Sequence, residues 1–460
     1  MTSSTLPHSD CTIRSAADLL LRWPAQEPLA ALVSGGTLES QNAWTILARP
    51  VETIVIAADS TATDALAQLE LALSRTPRPS VPQSHDTRDI PFTGGWILAL
   101  GYALGECFEP RAVCDAQPAA ASPRAVLHWC ADAWCFDHTT STLHAIGNPP
   151  ALSSPTETPA WQLHSMHPRE SDAHYAARVA RAIEYIRAGD AYQANIARRF
   201  DGVLSGSARA FAHAAISENH AWFGACVDLP GGGCLVSMSP ELFLRVSHDG
   251  RIATRPIKGT RSVDVPAREL LESTKDCAEL AMIVDLMRND LGRVAEIGSV
   301  EVAQSRVLET HRTVQHGVAE IRARLRNDVS WMDVLRATFP PGSVTGAPKV
   351  RAMQIIQELE ETERGFYCGG IGFISASGNA ALSVAIRTAQ LGAADADNAR
   401  VLAYHAGCGI VIESELAAEV AETHAKARAV FQLAQSGDVD PSQVVHLHGK
   451  VSGQYFPRSQ

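Results

Sequence analysis

Residues 255 to 294 constrain the fold more than any other part of the chain, because the two halves of this segment require opposite backbone conformations. The first half, RPIKGT at 255 to 260, contains a proline and a glycine, which exclude a helix and predict a strand end that runs into a tight turn. That turn presents Lys258. The second half, from about 268 to 291, repeats apolar residues at helical spacing, and Gly292 can end the predicted helix.

Paired carboxylates occur on this helix and on a later one. Asp276 and Glu279 lie three residues apart, so both side chains project from one side of the helix. A helix predicted from about 414 to 433 carries Glu419 and Glu422 at the same spacing. Two helices that each present a carboxylate pair suit a hard divalent cation such as Mg²⁺, which takes oxygen ligands.

Each of these groups also has an ordinary structural interpretation. Lys258 can be a surface lysine, and the four acids can be solvent-exposed helix charges. Lys426 lies one turn beyond Glu422, where a plain salt bridge explains it as well as a ligand contact does. The residues alone leave these alternatives open.

A loop rich in glycine and hydroxyl groups precedes the helix predicted from 349 to 359. Its sequence, PPGSVTGAP at 340 to 348, places Ser343 and Thr345 ahead of the helix start, where backbone N–H groups and the positive helix end favour an anion. An ordinary capped helix start is the alternative. Arg387, in an otherwise apolar strand predicted from 380 to 390, needs either a substrate carboxylate or a structural acid as its partner.

Composition excludes several classes of function. The 460 residues carry a net charge of −11, and no cluster of Lys and Arg adjoins an aromatic stripe, so we expect no nucleic-acid partner. The longest apolar run, around 94 to 105, is too short and too rich in glycine to span a bilayer, and no signal-peptide pattern is present. Ten scattered cysteines without a CxxC pair are typical of a reduced cytosolic protein, so we expect a cytoplasmic location without membrane association.

The clearest linker pattern is the stretch GNPPALSSPTETPA at 147 to 160. It predicts an N-terminal lobe over residues 1–160, a catalytic region over 161–436 and a flexible tail over 437–460. Many strand-like segments alternate with fewer helices, which is consistent with an α/β or α+β architecture. A glycine turn is predicted at 406 to 409, where Gly407 and Gly409 let the backbone approach a ligand or another strand.

Taken together, these segments resemble the chorismate-utilising enzymes. The matching runs are SPELFL (239–244), RPIKGT (255–260), KDCAELAMIVDLMRNDLGRV (275–294), PGSVTGAPKVRAM (341–353), YCGGIGFIS (367–375), AIRT (385–388) and AGCGIV (406–411). The resemblance is strong from about 165 to 435 and weak in the N-terminal third. It implies an anthranilate synthase component I-like fold, with two large antiparallel sheets packed face to face, helices outside and the site in the cleft between the lobes.

Lys258 makes the chain similar to the aminodeoxychorismate synthase branch of this family. In the related anthranilate synthases the matching motif resembles PIAGT, with alanine where Lys258 stands here. The resemblance implies chorismate as substrate, Mg²⁺ as cofactor and ammonia from a separate glutamine amidotransferase subunit. The implied reaction is that of a transferase of the transaminase class, which makes 4-amino-4-deoxychorismate for para-aminobenzoate and folate. The segment GDAYQANIARRF at 189 to 200 resembles one near a tryptophan-sized pocket, and the motif does not decide whether tryptophan binds in the N-terminal lobe.

The resemblance also implies roles for individual residues. Lys258 would add to C2 of the ring while Glu241 protonates the departing C4 hydroxyl, and His316 would assist at C4 or only fill a polar position. The implied metal ligands are Asp276, Glu279, Glu419 and Glu422. The implied substrate-binding residues are Gly259, Thr260, Ser343, Tyr367, Arg387, Gly407, Gly409 and Lys426. Leu280 and Cys408 depart from the family pattern, and Cys408 adds a sulfur near the expected site.

Three other functions compete with this prediction. An anthranilate synthase component I would use the same metal site but release pyruvate and form an aromatic ring. An isochorismate or salicylate synthase would activate water with a lysine at a different motif position. A catalytically silent paralogue would only bind or regulate, although the retention of Glu241, Lys258, Glu279, Arg387, Glu419 and Glu422 argues against that alternative.

Overall fold

The computed structural model describes residues 15–35, 43–79, 90–113, 121–153, 158–310 and 314–435, and the predicted tail over 437–460 lies outside them. The helices are α1 (Asp18–Arg22), α2 (Ala62–Leu73), α3 (Leu104–Phe108), α4 (Asp172–Arg187), α5 (Ala208–Asn219), α6 (Ala267–Leu271), α7 (Thr274–Gly292), α8 (Trp331–Thr338), α9 (Lys349–Leu359) and α10 (Leu416–Gln435). The strands are β1 (Ala30–Val33), β2 (Trp44–Ile56), β3 (Gly95–Leu100), β4 (Ala125–Asp137), β5 (Thr142–Ile146), β6 (Trp161–Pro168), β7 (Gln193–Gly206), β8 (Phe223–Asp228), β9 (Cys234–Ser239), β10 (Leu242–Val246), β11 (Arg251–Arg255), β12 (Ile257–Ser262), β13 (Glu301–Thr310), β14 (Val314–Arg324), β15 (Gly346–Ala347), β16 (Gly370–Ser375), β17 (Ala380–Val384), β18 (Thr388–Leu391) and β19 (Ala399–Ile410).

The strands form two antiparallel sheets that are joined by two long strands. One sheet runs β6-β7-β19-β18-β9-β8-β1-β2. The other runs β4-β3-β16-β17-β10-β11-β14-β13, and β12 also pairs with β14. Strands β2 and β4 pair along their full length, and their ladder shifts register around Pro50, which cannot donate to it. The hydrogen-bonded network therefore continues from one sheet into the other.

Because side chains alternate between the two faces of each strand, one hydrophobic core lies between the sheets and a further core lies on the outer face of each sheet. On β3, Ile97 and Ala99 join the inner core with Ala225 and Val227 of β8. Trp96 of the same strand faces an outer core covered by α2, α3, α7, α8 and α9. A second outer core lies under α1, α5 and α10. This arrangement confirms the expected fold of two sheets face to face with helices outside.

The predicted boundary at residue 160 does not separate the strand pairings. Strand β1 of the predicted N-terminal lobe pairs with β8, and β3 pairs with β16. Strands from both sides of residue 160 thus take part in both sheets, and the division into lobes remains a prediction from the sequence. Among the described residues, no helix is both long enough and apolar enough to cross a membrane.

Several local predictions are confirmed where the sequence pattern is strong. Helix α4 begins after Ser171, whose hydroxyl accepts a hydrogen bond from the N–H of His174 at 3.2 Å. Such a cap stabilises a helix by about 1 kcal/mol. Tyr175 and Val179 of α4 are fully buried, as their helical spacing predicts. Helix α9 begins and ends at the predicted residues, 349 and 359.

Two local predictions for residues 380 to 409 are wrong, and tertiary structure explains both. The strand predicted from 380 to 390 breaks into β17 and β18, because the chain leaves one sheet there and enters the other; Arg387 lies at the crossing with φ 49°. The turn predicted at 406 to 409 is part of the continuous strand β19. A Cβ on Gly407 would lie 2.8 Å from the Cβ of Ala197 on β7, so this glycine permits close packing of two strands.

Candidate active site

Lys258 lies in strand β12 rather than on the predicted turn. The ladder of β12 with β14 shifts register between Ile257 and Thr260, and Gly259 takes φ +79° within this bulge, which a residue with a Cβ adopts poorly. The ammonium of Lys258 donates a hydrogen bond to the carbonyl oxygen of Ser343, 85 residues away in sequence, at 3.1 Å. The bulge thus aims the lysine at the loop that follows α8.

Glu241 lies on the tight connection between β9 and β10, and its side chain is buried. Its backbone N–H donates to the hydroxyl of Ser239, and its carbonyl accepts from the N–H of Val384, so the position is fixed from both sides. Carboxylate oxygen Oε1 is buried without a hydrogen-bond partner among the described residues. Burial raises the pKa of Glu241 to about 7, although the nearby hydroxyl of Ser343 and the charges of Lys258 and Lys426 oppose that rise. A carboxyl of this kind can carry a proton near neutral pH.

The loop at 341 to 349 is more tightly bound to the fold than the sequence predicts. Gly346 and Ala347 form strand β15 against β7, and the hydroxyl of Thr345 donates to carbonyl oxygens of the same loop. Ser343 is different, because its hydroxyl is buried without a hydrogen-bond partner among the described residues. The loop therefore offers one buried hydroxyl close to Glu241 and Lys258, not an open set of hydroxyls and N–H groups.

Sequence analysis does not identify Gln193 as a site residue, although the structure places it there. Gln193 is 1% exposed, and neither amide atom has a hydrogen-bond partner in the part of the chain that is described. A Cβ built on Gly409 would lie 2.1 Å from the amide nitrogen of Gln193 and 3.5 Å from the ammonium of Lys258. The absence of a side chain at Gly409 thus makes room for the amide of Gln193, close to the ammonium of Lys258. In the sequence, the only signal for Gln193 is its position within GDAYQANIARRF. That signal is weak, since nothing in the pattern distinguishes Gln193 from the adjacent Tyr192, which is exposed.

Two basic groups lie at another side of the site. The ammonium of Lys426 donates to the carbonyl oxygen of Gly407 at 2.8 Å and pairs with Glu422 at 2.7 Å, so the predicted salt bridge is present. Arg387 makes no ion pair with any described acid. Burial lowers the pKa of Arg387, and the nearby phenol of Tyr404 opposes that effect. A partly buried guanidinium without an acidic partner among the described residues is suited to a carboxylate of a ligand.

Three of the four predicted metal ligands converge, and a lysine lies between two of them. The ammonium of Lys275 is 3.3 Å from Oε1 of Glu419 and 3.9 Å from Oε1 of Glu279. Glu422 lies close to Glu419, because ligand atoms of both residues and the sulfur of Cys408 fall within 4.8 Å of one another. The carboxylate of Asp276 instead pairs with Arg261 at 2.9 Å, so its role as a ligand stays a prediction.

These carboxylates fit a divalent cation. Burial raises the pKa of Glu279, whereas Lys258 and Lys275 lower it. Burial would also raise the pKa of Glu422, but Lys426, Lys258 and Lys275 together hold it below its ordinary value. The lysine ammonium already occupies the space between oxygens from two helices as a stand-in cation. Oxygen donors of this kind suit Mg²⁺.

The remaining predicted residues form separate contacts. The hydroxyl of Thr260 is 2.8 Å from Nδ1 of His316, on the paired strand. The ring of Tyr367 stacks on His405 with centroids 5.3 Å apart and planes inclined by 18°. Leu280, where the sequence departs from the family pattern, is buried in the core at 1% exposure, so it does not line the site. The roles assigned to Thr260, His316 and Tyr367 stay predictions.

Comparison with known proteins adds independent information. A sequence profile described as chorismate binding enzyme matches residues 34–432. Aminodeoxychorismate synthase component 1 of Klebsiella aerogenes is 36% identical over 435 residues, which cover 89% of this chain and 89% of the relative. An anthranilate synthase component 1 of Haloarcula marismortui is 40% identical over 295 residues, which cover 62% of this chain and 58% of the relative.

A solved structure extends this likeness to the fold. The crystal structure of anthranilate synthase component I from Streptococcus pneumoniae TIGR4 superposes with a TM-score of 0.71 at 27% identity. The superposition covers 91% of this chain and 99% of that chain. The likeness thus extends across almost the whole of both proteins.

Proposed function

Because the chain belongs to the family of chorismate binding enzymes, we propose that it is component I of an aminodeoxychorismate synthase. In this proposal it converts chorismate and ammonia to 4-amino-4-deoxychorismate and water. The observation that carries the proposal is the pairing of Lys258, directed into the site by the bulge in β12, with Glu241, whose buried carboxyl has a pKa of about 7. A nucleophile beside a protonated acid is what exchange of a ring hydroxyl for an amine requires.

The proposed reaction has two displacements. The neutral amine of Lys258 forms a bond to C2, both double bonds of the ring diene shift by one position, and the C4–oxygen bond breaks as Glu241 gives its proton to the leaving hydroxyl, which departs as water. Ammonia then forms a bond to C4, both double bonds shift back, and the bond between C2 and Lys258 breaks, so that Lys258 leaves as the neutral amine. The new ammonium at C4 returns one proton to the Glu241 carboxylate, which restores the acid. The enolpyruvyl group is retained, and the net change is replacement of a hydroxyl by an amino group.

The basic groups would orient the two carboxylates of the substrate. Arg387, which has no acidic partner among the described residues, is suited to the enolpyruvyl carboxylate. The buried hydroxyl of Ser343 and the amide of Gln193, which packs over Gly409, would accommodate the ring carboxylate. Glu279, Glu419 and Glu422, with Asp276 near them, would hold Mg²⁺, which neutralises that carboxylate and polarises the ring when bound.

Ammonia would come from a separate partner. The relative from Klebsiella aerogenes is named component 1, which implies a second subunit for that protein. We propose that a glutamine amidotransferase supplies ammonia to this chain as well, and that free ammonium replaces it less efficiently. In this proposal the amino-group transfer belongs to para-aminobenzoate and folate synthesis, and tryptophan binding stays an open prediction.

Anthranilate synthesis is the second candidate, because a relative with that name is 40% identical over part of the chain. That reaction would also use chorismate and ammonia, but it would release pyruvate and leave an aromatic product. Lys258 favours the first candidate, since the anthranilate synthase motif resembles one with alanine at this position. The two reactions differ in product mass and in pyruvate release, so one assay separates them.

We expect the purified chain, incubated with chorismate, Mg²⁺ and ammonium at mildly alkaline pH, to form a product that retains the enolpyruvyl group. Mass spectrometry would show the hydroxyl replaced by an amine, and a coupled assay would detect no pyruvate. Anthranilate together with an equal amount of pyruvate would instead establish the second candidate. No loss of chorismate under any of these conditions would favour a silent paralogue.

Replacement of Gln193 by leucine tests the residue that the sequence did not reveal. We expect Gln193→Leu to lower kcat/KM about tenfold or more without lowering the melting temperature. The amide atoms have no protein partners to lose, whereas a bound ligand loses their hydrogen bonds. Gln354→Leu makes the same chemical change on α9, where the amide donates to the carbonyl of Arg111, and should keep the wild-type rate. Equal rates for Gln193→Leu and wild type would exclude a role for Gln193.

A further inference from the structure

Lys275 of α7 is a positively charged residue that lies among the predicted metal ligands. It lies in the first turn of the helix, four residues before Glu279. Its ammonium bridges Glu279 of α7 and Glu419 of α10, although the two glutamates are 140 positions apart in the chain. The bridge therefore joins the two helices that carry the predicted metal ligands.

The three side chains differ in solvent exposure, with both glutamates more buried than the lysine. The side chain of Glu419 is 2% exposed and that of Glu279 is 13% exposed, whereas that of Lys275 is 44% exposed. A carboxylate as buried as Glu419 is costly unless a cation compensates it. Lys275 is the cation within ion-pair distance of Glu419 among the described residues. Its long, half-exposed stem can carry the ammonium into water without moving the helix backbone.

Most other charged groups around this cluster are already paired, and Lys258, whose charge also acts on Glu279 and Glu422, donates to the carbonyl of Ser343. Glu422 pairs with Lys426, and Asp276 pairs with Arg261. A divalent cation bound by Glu279 and Glu419 would need the oxygens that Lys275 now contacts. Two cations within a few ångströms of each other repel strongly, most of all in a partly buried site. The ammonium and the metal therefore compete for one position.

We propose that Lys275 is a tethered counter-cation, which holds Glu279 and Glu419 together in the metal-free enzyme and moves into solvent when a divalent cation binds. This inference rests on the proposed function in one respect, because it assumes that these carboxylates are the metal site. The counter-cation role of Lys275 is not implied by the metal ligands alone. The free energy of releasing the lysine is subtracted from the metal affinity, and the charge of the empty site stays compensated between catalytic cycles.

The apparent association constant for the metal equals the intrinsic constant multiplied by the fraction of enzyme in which the ammonium has left the site. If the ammonium occupies the site about nine-tenths of the time, removal of the side-chain charge tightens binding about tenfold. Removal of the lysine should also bring the uncompensated carboxylates into repulsion when no metal is present. The variant should therefore be less stable than wild type without metal and should gain more from its addition.

Metal binding to the full chain without chorismate gives the decisive measurement, with Mn²⁺ as the probe. We expect electron paramagnetic resonance titration to give a Kd about tenfold lower for Lys275→Met than for wild type. Lys275→Arg should remain close to wild type, because it retains the charge. Arg288→Met removes a positive charge from the same helix, at a side chain that pairs with Asp285 at 3.1 Å outside the cluster, and should not change the Kd.

A second measurement uses the unaltered protein, so it does not depend on the folding of a variant. An amine-reactive reagent followed by peptide mass mapping reports the accessibility of Lys275. We expect Mg²⁺ to accelerate modification of Lys275 severalfold, while the rate at Lys349, whose side chain is 11% exposed and pairs with Asp290, stays constant. A rate for Lys275 that Mg²⁺ leaves unchanged or slows would overturn the proposal.

The outcomes separate this inference from the proposed function. If wild type binds Mn²⁺ and Glu279→Gln weakens that binding, the metal site stands, and an equal or weaker affinity in Lys275→Met rejects only the counter-cation. If neither wild type nor any variant binds Mn²⁺, the metal site is absent and this inference falls with it. The assay of product mass and pyruvate still decides the reaction in both cases.

Discussion

Lys258→Ala will abolish covalent capture of chorismate and lower the rate of aminodeoxychorismate formation at least about 10³-fold, because the nucleophile of the first displacement is removed. The bulge that directs Lys258 is held by its own strand pairing, and the lost hydrogen bond goes only to the carbonyl of Ser343, so the variant should fold. Rapid quenching and mass mapping of the tryptic peptides would detect an adduct on Lys258 in wild type. The variant should show no adduct at any residue.

The product of Lys258→Ala carries additional information. With alanine at this position the motif resembles that of anthranilate synthases, so residual turnover should shift toward anthranilate and pyruvate. Lys258→Met is the matched control, since it keeps most of the apolar stem but cannot form the bond, and it should also fail to form an adduct. Unchanged rate and product in either variant would refute the nucleophilic role.

Glu241→Gln will lower kcat about 10² to 10⁴-fold, because glutamine preserves the shape of the side chain but has no proton to give to the leaving hydroxyl. Burial raises the pKa of Glu241 to about 7, so the carboxyl is protonated below that pH and loses its proton above it. The part of the wild-type rate that depends on this acid should therefore decline as pH rises through about 7. The residual rate of Glu241→Gln should lack that decline.

Stability gives a readout of Glu241 that does not depend on turnover. A carboxyl whose pKa is higher in the folded protein holds a proton there that the unfolded chain has released. Its contribution to stability is complete below the ordinary value of 4.5 and is lost as pH rises toward about 7. Urea unfolding across that window should show a smaller decline for Glu241→Gln than for wild type. Equal declines would mean that Glu241 is not buried as an acid.

Lys258 and Glu241 also show where sequence analysis is strong and where it is not. The motif identifies both residues, yet it predicts a turn at Lys258, where the structure has a bulged strand. Proline and glycine restrict local conformation, and both a turn and a bulge satisfy that restriction. Pairing with β14, more than 50 residues later, decides between the two. The motif is also silent about the pKa of Glu241, which depends on burial by distant segments.

By itself the sequence determined the features that depend on local chemistry and spacing: the amphipathic helices, the carboxylates on one helix face and the motifs that indicate the family. Each of these features involves residues within a few positions of one another, so the printed chain already contains them. Only the tertiary structure decided the unpartnered amide of Gln193, the crossing between sheets at Arg387 and the bridge of Lys275 to Glu419, 144 residues away. Each of these depends on which distant surfaces are buried together, because exclusion of water turns an ordinary polar side chain into one that needs a partner.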